Sequence, residues 1–351
     1  MSILFDCLEE LSLPKYNSFI IIVLVHKIEL FEDKNYSHNI SFRAYPQARK
    51  SYFFRLYYEF WAFGQLSRKL KPYLWFSLHD ISPKVFAEKK TVYWQSPSPF
   101  YSPCWSDIWN APELFVHSFL YRFVLQFNHQ SNDFIIVQQQ WIREKVSQWF
   151  NIPLNKVIVA YPINEVLSVI SQAKIDETIP TFFYPSLPRT QKNFEVLGQA
   201  CEILVAQKVT DFELVITING KENQYSRQFF KKYEHISQLK LIGILDRNSV
   251  FDWYEQCTAL VFPSKLETWG LPISEFEPYQ KPILVGDLPY AKETVGDYSM
   301  AKLLPVNDAE QWAGMMKKII LKEAIEFDKT EKINIPNPKA DNWGEVFDTI
   351  L

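Results

Sequence analysis

Several things are scarce in this chain of 351 residues. There are 4 cysteines, Cys7, Cys104, Cys201 and Cys257, with no C-x-x-C pair among them. That spacing excludes a zinc knuckle and a disulfide framework and predicts a reducing compartment. No apolar run approaches the roughly 20 residues a membrane-spanning helix needs. The run from Phe19 to Val25 falls well short and reads as a buried strand of a parallel sheet. No secretory leader pattern is seen, so a cytoplasmic location is expected. The net charge is only −3, which argues against a nucleic-acid partner. Glycine is down to 9 residues while aromatics reach 16%, a bias that an AT-rich genome produces as readily as any function.

What is present fits a soluble globular protein of two ordinary domains, with 47% hydrophobic and 22% charged residues. Short apolar runs alternate with helical stretches. The pattern predicts strands at 18–26, 40–44, 74–78, 91–94, 133–137 and 156–160, and helices at 48–71, 111–128 and 139–150. A seam follows, marked by Tyr161-Pro162-Ile163-Asn164 and by Thr178-Ile179-Pro180. Beyond it the alternation restarts, with strands at 181–184, 213–218, 239–242, 259–262 and 282–285. Helices are predicted at 193–207, 223–235, 249–257, 271–278, 291–295 and 309–321. Strand-then-helix repetition implies parallel sheets covered on both faces. The expected fold class is α/β, with two Rossmann-like doubly wound domains facing across a cleft. Ligands bind outside the carboxyl ends of such sheets.

The most informative stretch reads VFPSKLETWGLPISEFEPYQKPILVG, from Val261 to Gly286. Glu267 and Glu275 flank seven residues that include Trp269-Gly270-Leu271-Pro272. Gly270 lets backbone pass close to a ligand. Pro272 suits the start of a helix beginning near Leu271, whose free N–H groups attract phosphate. Carboxylates beside a phosphate site make sense if they accept hydrogen bonds from sugar or ribose hydroxyls. Taken alone, two glutamates at this spacing read more simply as a helix with an acidic start.

The longer pattern, PS-x-x-E-T-W-G-L-P-I-S-E followed by K-P-I-L-V, closely resembles the donor-site signature of retaining glycosyltransferases of family 4, which have the GT-B fold. The usual form carries Gly-Phe-Gly between the glutamates; here Thr268-Trp269-Gly270 keeps the aromatic and the second glycine. The resemblance covers most of residues 130–325 and is weak in the first domain. It implies an acceptor-side domain at 1–162, a nucleotide-sugar domain at 163–335, and a final helix in 336–351 returning to the first domain. It also implies a UDP- or GDP-linked sugar as co-substrate, with no cofactor and no metal. No D-x-D motif stands at a strand end.

The resemblance assigns roles residue by residue. Glu275 would accept from the ribose, and Glu267 would lie beside the donor sugar. The amides of Gly270 and Leu271 would hold the diphosphate with Lys192, and Trp269 belongs to the same turn. Lys192 in Lys192-Asn193-Phe194 matches the family's lysine. The family's arginine stands about five residues earlier, where this chain has Leu187; Arg189 is a displaced substitute or a solvated charge. Gly243 sits in the loop that would face the base, with Arg247 either stacking there or solvated. In the first domain, His79 and Gln95 follow two strands on the acceptor side. His79 would contact a sugar hydroxyl or serve locally. Gln95 stands where relatives often have a histidine, and it cannot carry a proton. Catalytic work would fall to Glu267, Lys192 and His79. The segment 49–76 mixes cations with aromatics and reads either as a peripheral contact with the inner membrane face or as a core helix with charged ends. The implied activity is transfer of a hexosyl group to a glycan or lipid-linked acceptor in bacterial surface-polysaccharide synthesis. Two rivals are a non-catalytic sugar-nucleotide-binding subunit and a nucleotide-sugar epimerase.

Overall fold

In the central strands of the amino-terminal region both parities are apolar, and both are used. A computed structural model describes residues 2–32, 34–101, 112–162 and 179–351. Residues 2–100, 117–162 and 335–351 gather into one compact unit and residues 179–334 into another. In the first, β3 (Leu74–Ser77), β4 (Lys89–Tyr93), β5 (Phe134–Val137) and β6 (Val157–Ala160) lie in consecutive order, all parallel. A short strand, Lys339–Ala340, adds to β6. Val92, Ile135, Val137, Val157 and Val159 pack with side chains from helices Pro112–Gln126 and Gln140–Phe150. Their neighbours Tyr93, Ile136, Ile158 and Ala160 pack with helices Ser2–Leu11 and Trp343–Ile350. Strand side chains alternate between faces, so a sheet covered on both sides needs apolar residues at every position.

The carboxyl-terminal segment is tied down by a buried guanidinium. Arg143 donates to the carbonyls of Leu154, Pro336 and Asn337. Asn342 then caps the last helix, its side chain accepting from the Glu345 N–H at 2.9 Å.

Three expectations for this unit need correction. Strand β1 (Ile21–Val25) is parallel, but among the described residues it pairs only with β2 (Ile40–Ala44), in a separate two-stranded sheet. It is half-buried along most of its length because only a small cluster around Leu8, Val25 and Phe31 covers it. The helix expected at 48–71 forms over residues 52–70, with a later start and a π-helical turn within it. A 3₁₀ turn (Pro46–Arg49) leads to Ser51, whose hydroxyl accepts from the Phe54 N–H and caps helix Tyr52–Tyr57. A π-helical turn (Tyr58–Ala62) and helix Phe63–Leu70 complete it. Helix Ser2–Leu11 was not anticipated at all.

The second unit holds, among the described residues, a six-stranded parallel sheet: β7 (Thr181–Tyr184), β8 (Glu213–Ile216), β9 (Leu239–Leu241), β10 (Ala259–Phe262), β11 (Ile283–Gly286) and β12 (Ala301–Leu304). Its spatial order is β12-β11-β10-β7-β8-β9. The chain steps outward from β7 through β9, then returns to the other side of β7 and steps outward again. The order reverses between β7 and β10, the topological switch point at which open α/β sheets leave a crevice. Strand β12 escaped the sequence reading because Lys302 interrupts its apolar run. The structure satisfies that lysine with Asp328, whose carboxylate also accepts from the Leu303 N–H. Residues 163–178 of the expected domain seam, and Cys104, lie outside the described residues. Among the described residues no helix is long and apolar enough to cross a membrane.

Candidate functional site

The loops after β7 and β10 flank the switch point, and they carry most of the charged residues singled out above. After β7 a 3₁₀ turn (Thr190–Lys192) ends at Asn193, whose backbone is left-handed at φ 58°. The buried Asn193 amide donates to the carbonyls of Pro263 and Val306, which fixes the turn against the neighbouring strands. The β10 loop is pinned to the same turn. The Lys265 N–H donates to the Gln191 carbonyl at 2.7 Å, and the Tyr290 hydroxyl donates to the Ser264 carbonyl at 2.7 Å. These anchors bring Lys192 Nζ to 2.5 Å from Glu267 Oε1, with both side chains mostly buried. Tyr184 and Tyr290 lie behind the pair. Burial, and then the Glu267 charge, push both phenols well above their ordinary pKa, so both remain O–H donors.

The turn that follows is equally fixed. The Trp269 carbonyl accepts from the Thr294 hydroxyl, and its indole N–H donates to Ser274 Oγ at 2.9 Å. Gly270 has φ +91°, a region that a Cβ makes costly, and it precedes helix Leu271–Phe276. That helix is shorter than expected. Residues 277–279 tighten into a 3₁₀ turn where Pro278 cannot continue the α-helical bonding. Leu271 is exposed.

Glu275 does not stand open. Its Oε1 lies 3.1 Å from an Arg247 guanidinium nitrogen, and its Oε2 accepts from the Tyr254 hydroxyl at 3.1 Å. Arg247 is therefore neither merely solvated nor free to stack without leaving a partner. Asp246 caps its helix, Arg247–Gln256, and so fixes where Arg247 begins. Gly243, at φ +86°, lies in the loop leading to that cap, and a Cβ there would meet Asn219 at 2.9 Å. Arg189 is exposed, and its guanidinium has no partner among the described residues.

In the first unit, His79 follows β3. Its Nε2 lies 3.0 Å from Glu59 Oε1, and Glu59 is a buried carboxylate supplied by the π-helical turn. The adjacent Asp80 is buried and fully engaged. Its Oδ1 accepts from the backbone N–H groups of Gln95 and Ser96, and its Oδ2 from the Tyr121 hydroxyl at 2.9 Å. The Gln95 side-chain amide donates to the Leu78 carbonyl at 3.0 Å. Burial, then the Asp80 charge, raise the Tyr121 phenol far above its usual value.

Within the second unit, then, the structure brings Lys192 and Glu267 into contact, orders Trp269 and Gly270 in the adjoining turn, and gives Glu275 partners of its own. Among the described residues no contact ties Arg189 or Gly243 to that pair, and His79 and Gln95 belong to the other unit. Sequence reasoning missed Tyr254, Tyr290, Glu59 and Asp80 as site neighbours. One signal was available: Arg247 and Tyr254 stand seven apart, which is two turns on one helix face.

The model of the family "Glycosyl transferases group 1" matches residues 169–336. No curated protein matches the chain in sequence. Among solved structures, sucrose-phosphate synthase from Thermosynechococcus elongatus aligns over 91% of this chain and 84% of its own, at 14% identity and a TM-score of 0.64. The lipopolysaccharide outer core galactosyltransferase WaaB aligns over 86% and 79%, at 15% identity and a TM-score of 0.55. A TarM mutant from S. aureus, in complex with fondaparinux, alpha-GlcNAc-glycerol and UDP, aligns over 66% of this chain, at 15% identity and a TM-score of 0.51. This chain spans only 44% of that TarM. At such identities the likeness is one of fold: the chain has the α/β architecture of GT-B glycosyltransferases, with Rossmann-like domains.

Proposed function

We propose that this chain is a retaining, family-4-type hexosyltransferase. It moves a sugar from a UDP- or GDP-linked donor to a glycan or lipid-linked acceptor, in bacterial surface-polysaccharide synthesis. One observation carries the reading: Lys192 and Glu267 meet at the β7/β10 switch point, inside the span matched by the group 1 glycosyl transferase model. The WaaB and TarM likenesses support a nucleotide-sugar donor and a glycan acceptor.

In this reading Lys192 and Arg189, with the amides near Gly270 and Leu271, hold the diphosphate. Lys192 leaves Glu267 for the phosphate as charge develops there, and Glu267 turns to the donor sugar. The bond from the anomeric carbon to the diphosphate oxygen breaks, and the acceptor oxygen bonds on the same face. The acceptor proton passes to the departing phosphate oxygen, so no protein base is needed. Lysine and arginine supply the compensating charge, which makes the reaction metal-independent. Glu275 receives the ribose, Gly243 lies toward the base, and His79 and Gln95 serve the acceptor. The protein is cytoplasmic and touches the membrane face peripherally. Support for that contact comes from the segment 52–61, where Tyr52 is 71%, Phe53 76% and Trp61 54% exposed rather than in a core.

A thermal-shift screen of UDP- and GDP-sugars tests the reading, because a ligand of the folded state raises the melting temperature. The expected result is a shift with one donor and transfer that survives EDTA. Loss of transfer on chelation, restored by manganese, would refute the metal-free scheme. A second reading, a non-catalytic donor-binding subunit, draws on Gln95, whose amide is engaged with the Leu78 carbonyl. Donor binding without any hydrolysis or transfer would favour it.

A further inference from the structure

Glu275 has two oxygens in unlike surroundings. Oε2 faces Tyr254, whose ring is fully buried and wedged among Phe183, Phe251, Phe276 and Tyr279, with ring centroids 5.5 to 6.0 Å away. Four such neighbours leave the ring no room to turn, so its hydroxyl points one way. Burial, and then the Glu275 charge, hold that phenol well above its ordinary pKa, and it stays a donor. Oε1 faces Arg247, whose side chain is 53% exposed while that of Glu275 is 9% exposed. The guanidinium also lies over the Phe251 ring at 5.2 Å, a contact it can keep when the carboxylate is given up.

We propose that Tyr254 is a positioning residue that locks Glu275 with Oε1 outward, and that Arg247 is a displaceable cover on Oε1, removed when the vicinal hydroxyls of a nucleotide ribose bind there. This rests on the donor-site reading above and adds two residues and an order of events to it. The physical logic is asymmetry. A mostly buried carboxylate needs a counter-charge when empty, and Arg247 supplies it from the solvent side. A hydroxyl ligand needs that same side. A rigid neutral donor on the far oxygen keeps the carboxylate from rotating as its partners exchange. Replacing one donor by another at a pre-aimed oxygen costs less than orienting a free carboxylate.

The test uses the full chain, isothermal titration calorimetry, and whichever of UDP, GDP or ADP binds most tightly, together with its 2′,3′-dideoxy analogue. Wild type is expected to prefer the ribonucleotide by about tenfold, in keeping with hydrogen bonds to a charged group. Tyr254→Phe removes one hydroxyl without changing the ring, and it should weaken the ribonucleotide while leaving the dideoxy analogue alone, so the preference collapses toward one. Arg247→Ala should keep or widen the preference. A Tyr254→Phe protein that retains the full preference overturns the positioning role. A collapse in Arg247→Ala overturns the covering role. Should wild type bind a nucleotide without any ribose preference, the inference fails while the donor site stands. Should it bind none of the three, the donor reading fails and takes the inference with it.

Discussion

At the carboxyl ends of their strands, the switch-point glutamates of the second unit and Asp80 of the first are held by different kinds of partner. The second unit places ionic pairs there whose partners sit on different elements: Lys192 with Glu267, and Arg247 with Glu275. Each pair satisfies itself when no ligand is present, and each can exchange its partner for a ligand's oxygen or hydroxyl. The first unit places Asp80 in the corresponding position behind β3, and Asp80 has nothing to exchange, because two backbone N–H groups and the Tyr121 hydroxyl use both of its oxygens. One arrangement stores replaceable bonds, and the other welds two loops into a wall. A carboxylate at a strand end is thus no sign of a site by itself; what matters is whether its partners can leave.

The sharpest way to break this comparison is to remove a replaceable cation. Lys192→Ala should reduce transfer by about 10²–10³-fold, the scale expected for losing a preorganised charge at a developing oxyanion. Steady-state turnover with the donor found in the thermal screen measures it. A variant that turns over normally would mean that the β7/β10 pair is structural, like Asp80. The converse experiment removes the fixed acid. Asp80→Ala strands two backbone N–H groups and a buried phenol, and should destabilise the protein by about 3 kcal/mol. Urea denaturation followed at tryptophan reads this. Nucleotide affinity at saturating folded protein should not change, since Asp80 makes its bonds within the first unit alone.

The same contrast explains how much could be read from the sequence. The β10 loop was legible because Glu267, Trp269, Gly270 and Glu275 sit within one short stretch that a strand and a helix must place together. Lys192 was legible because it follows β7, and Thr181 to Tyr184 is an unmistakable buried strand. Tyr254 was not legible, since its role depends on packing against Phe276 and on the reach of Glu275, and neither has a period or a spacing in the chain. The first unit resisted for a related reason. The helix expected at 48–71 looked regular by composition, yet the capping Ser51 delays its start and a π-helical turn within it carries Glu59, which meets His79. Strand β1 looked like the middle of a sheet because its residues are apolar, although among the described residues it has a single hydrogen-bonded neighbour strand. Hydrophobicity identifies a strand; it does not say which sheet will take it.

The smallest predicted effect concerns the surface around that helix. From residue 35 to residue 87 the chain carries eight Lys and Arg against two acids, Glu59 and Asp80, and both acids are buried. Seven of the eight cations are exposed and Arg55 is half-buried, so this surface is positive on a chain of net charge −3. Trp61 stands on it, its ring tilted against that of Tyr57 with centroids 5.1 Å apart. Trp61→Ser removes that ring pair and little else, so stability should change by about 0.5 kcal/mol or less. A tryptophan truncated in a core costs about 3–5 kcal/mol, so the size of the loss separates a surface aromatic from a packed one. Co-sedimentation with phosphatidylglycerol vesicles should fall in the same variant, and should fall further when Arg49 and Lys50 become glutamate. A large loss of stability with unchanged vesicle binding would return these aromatics to the core of the first unit, and the exposed face would then need another explanation than a lipid surface.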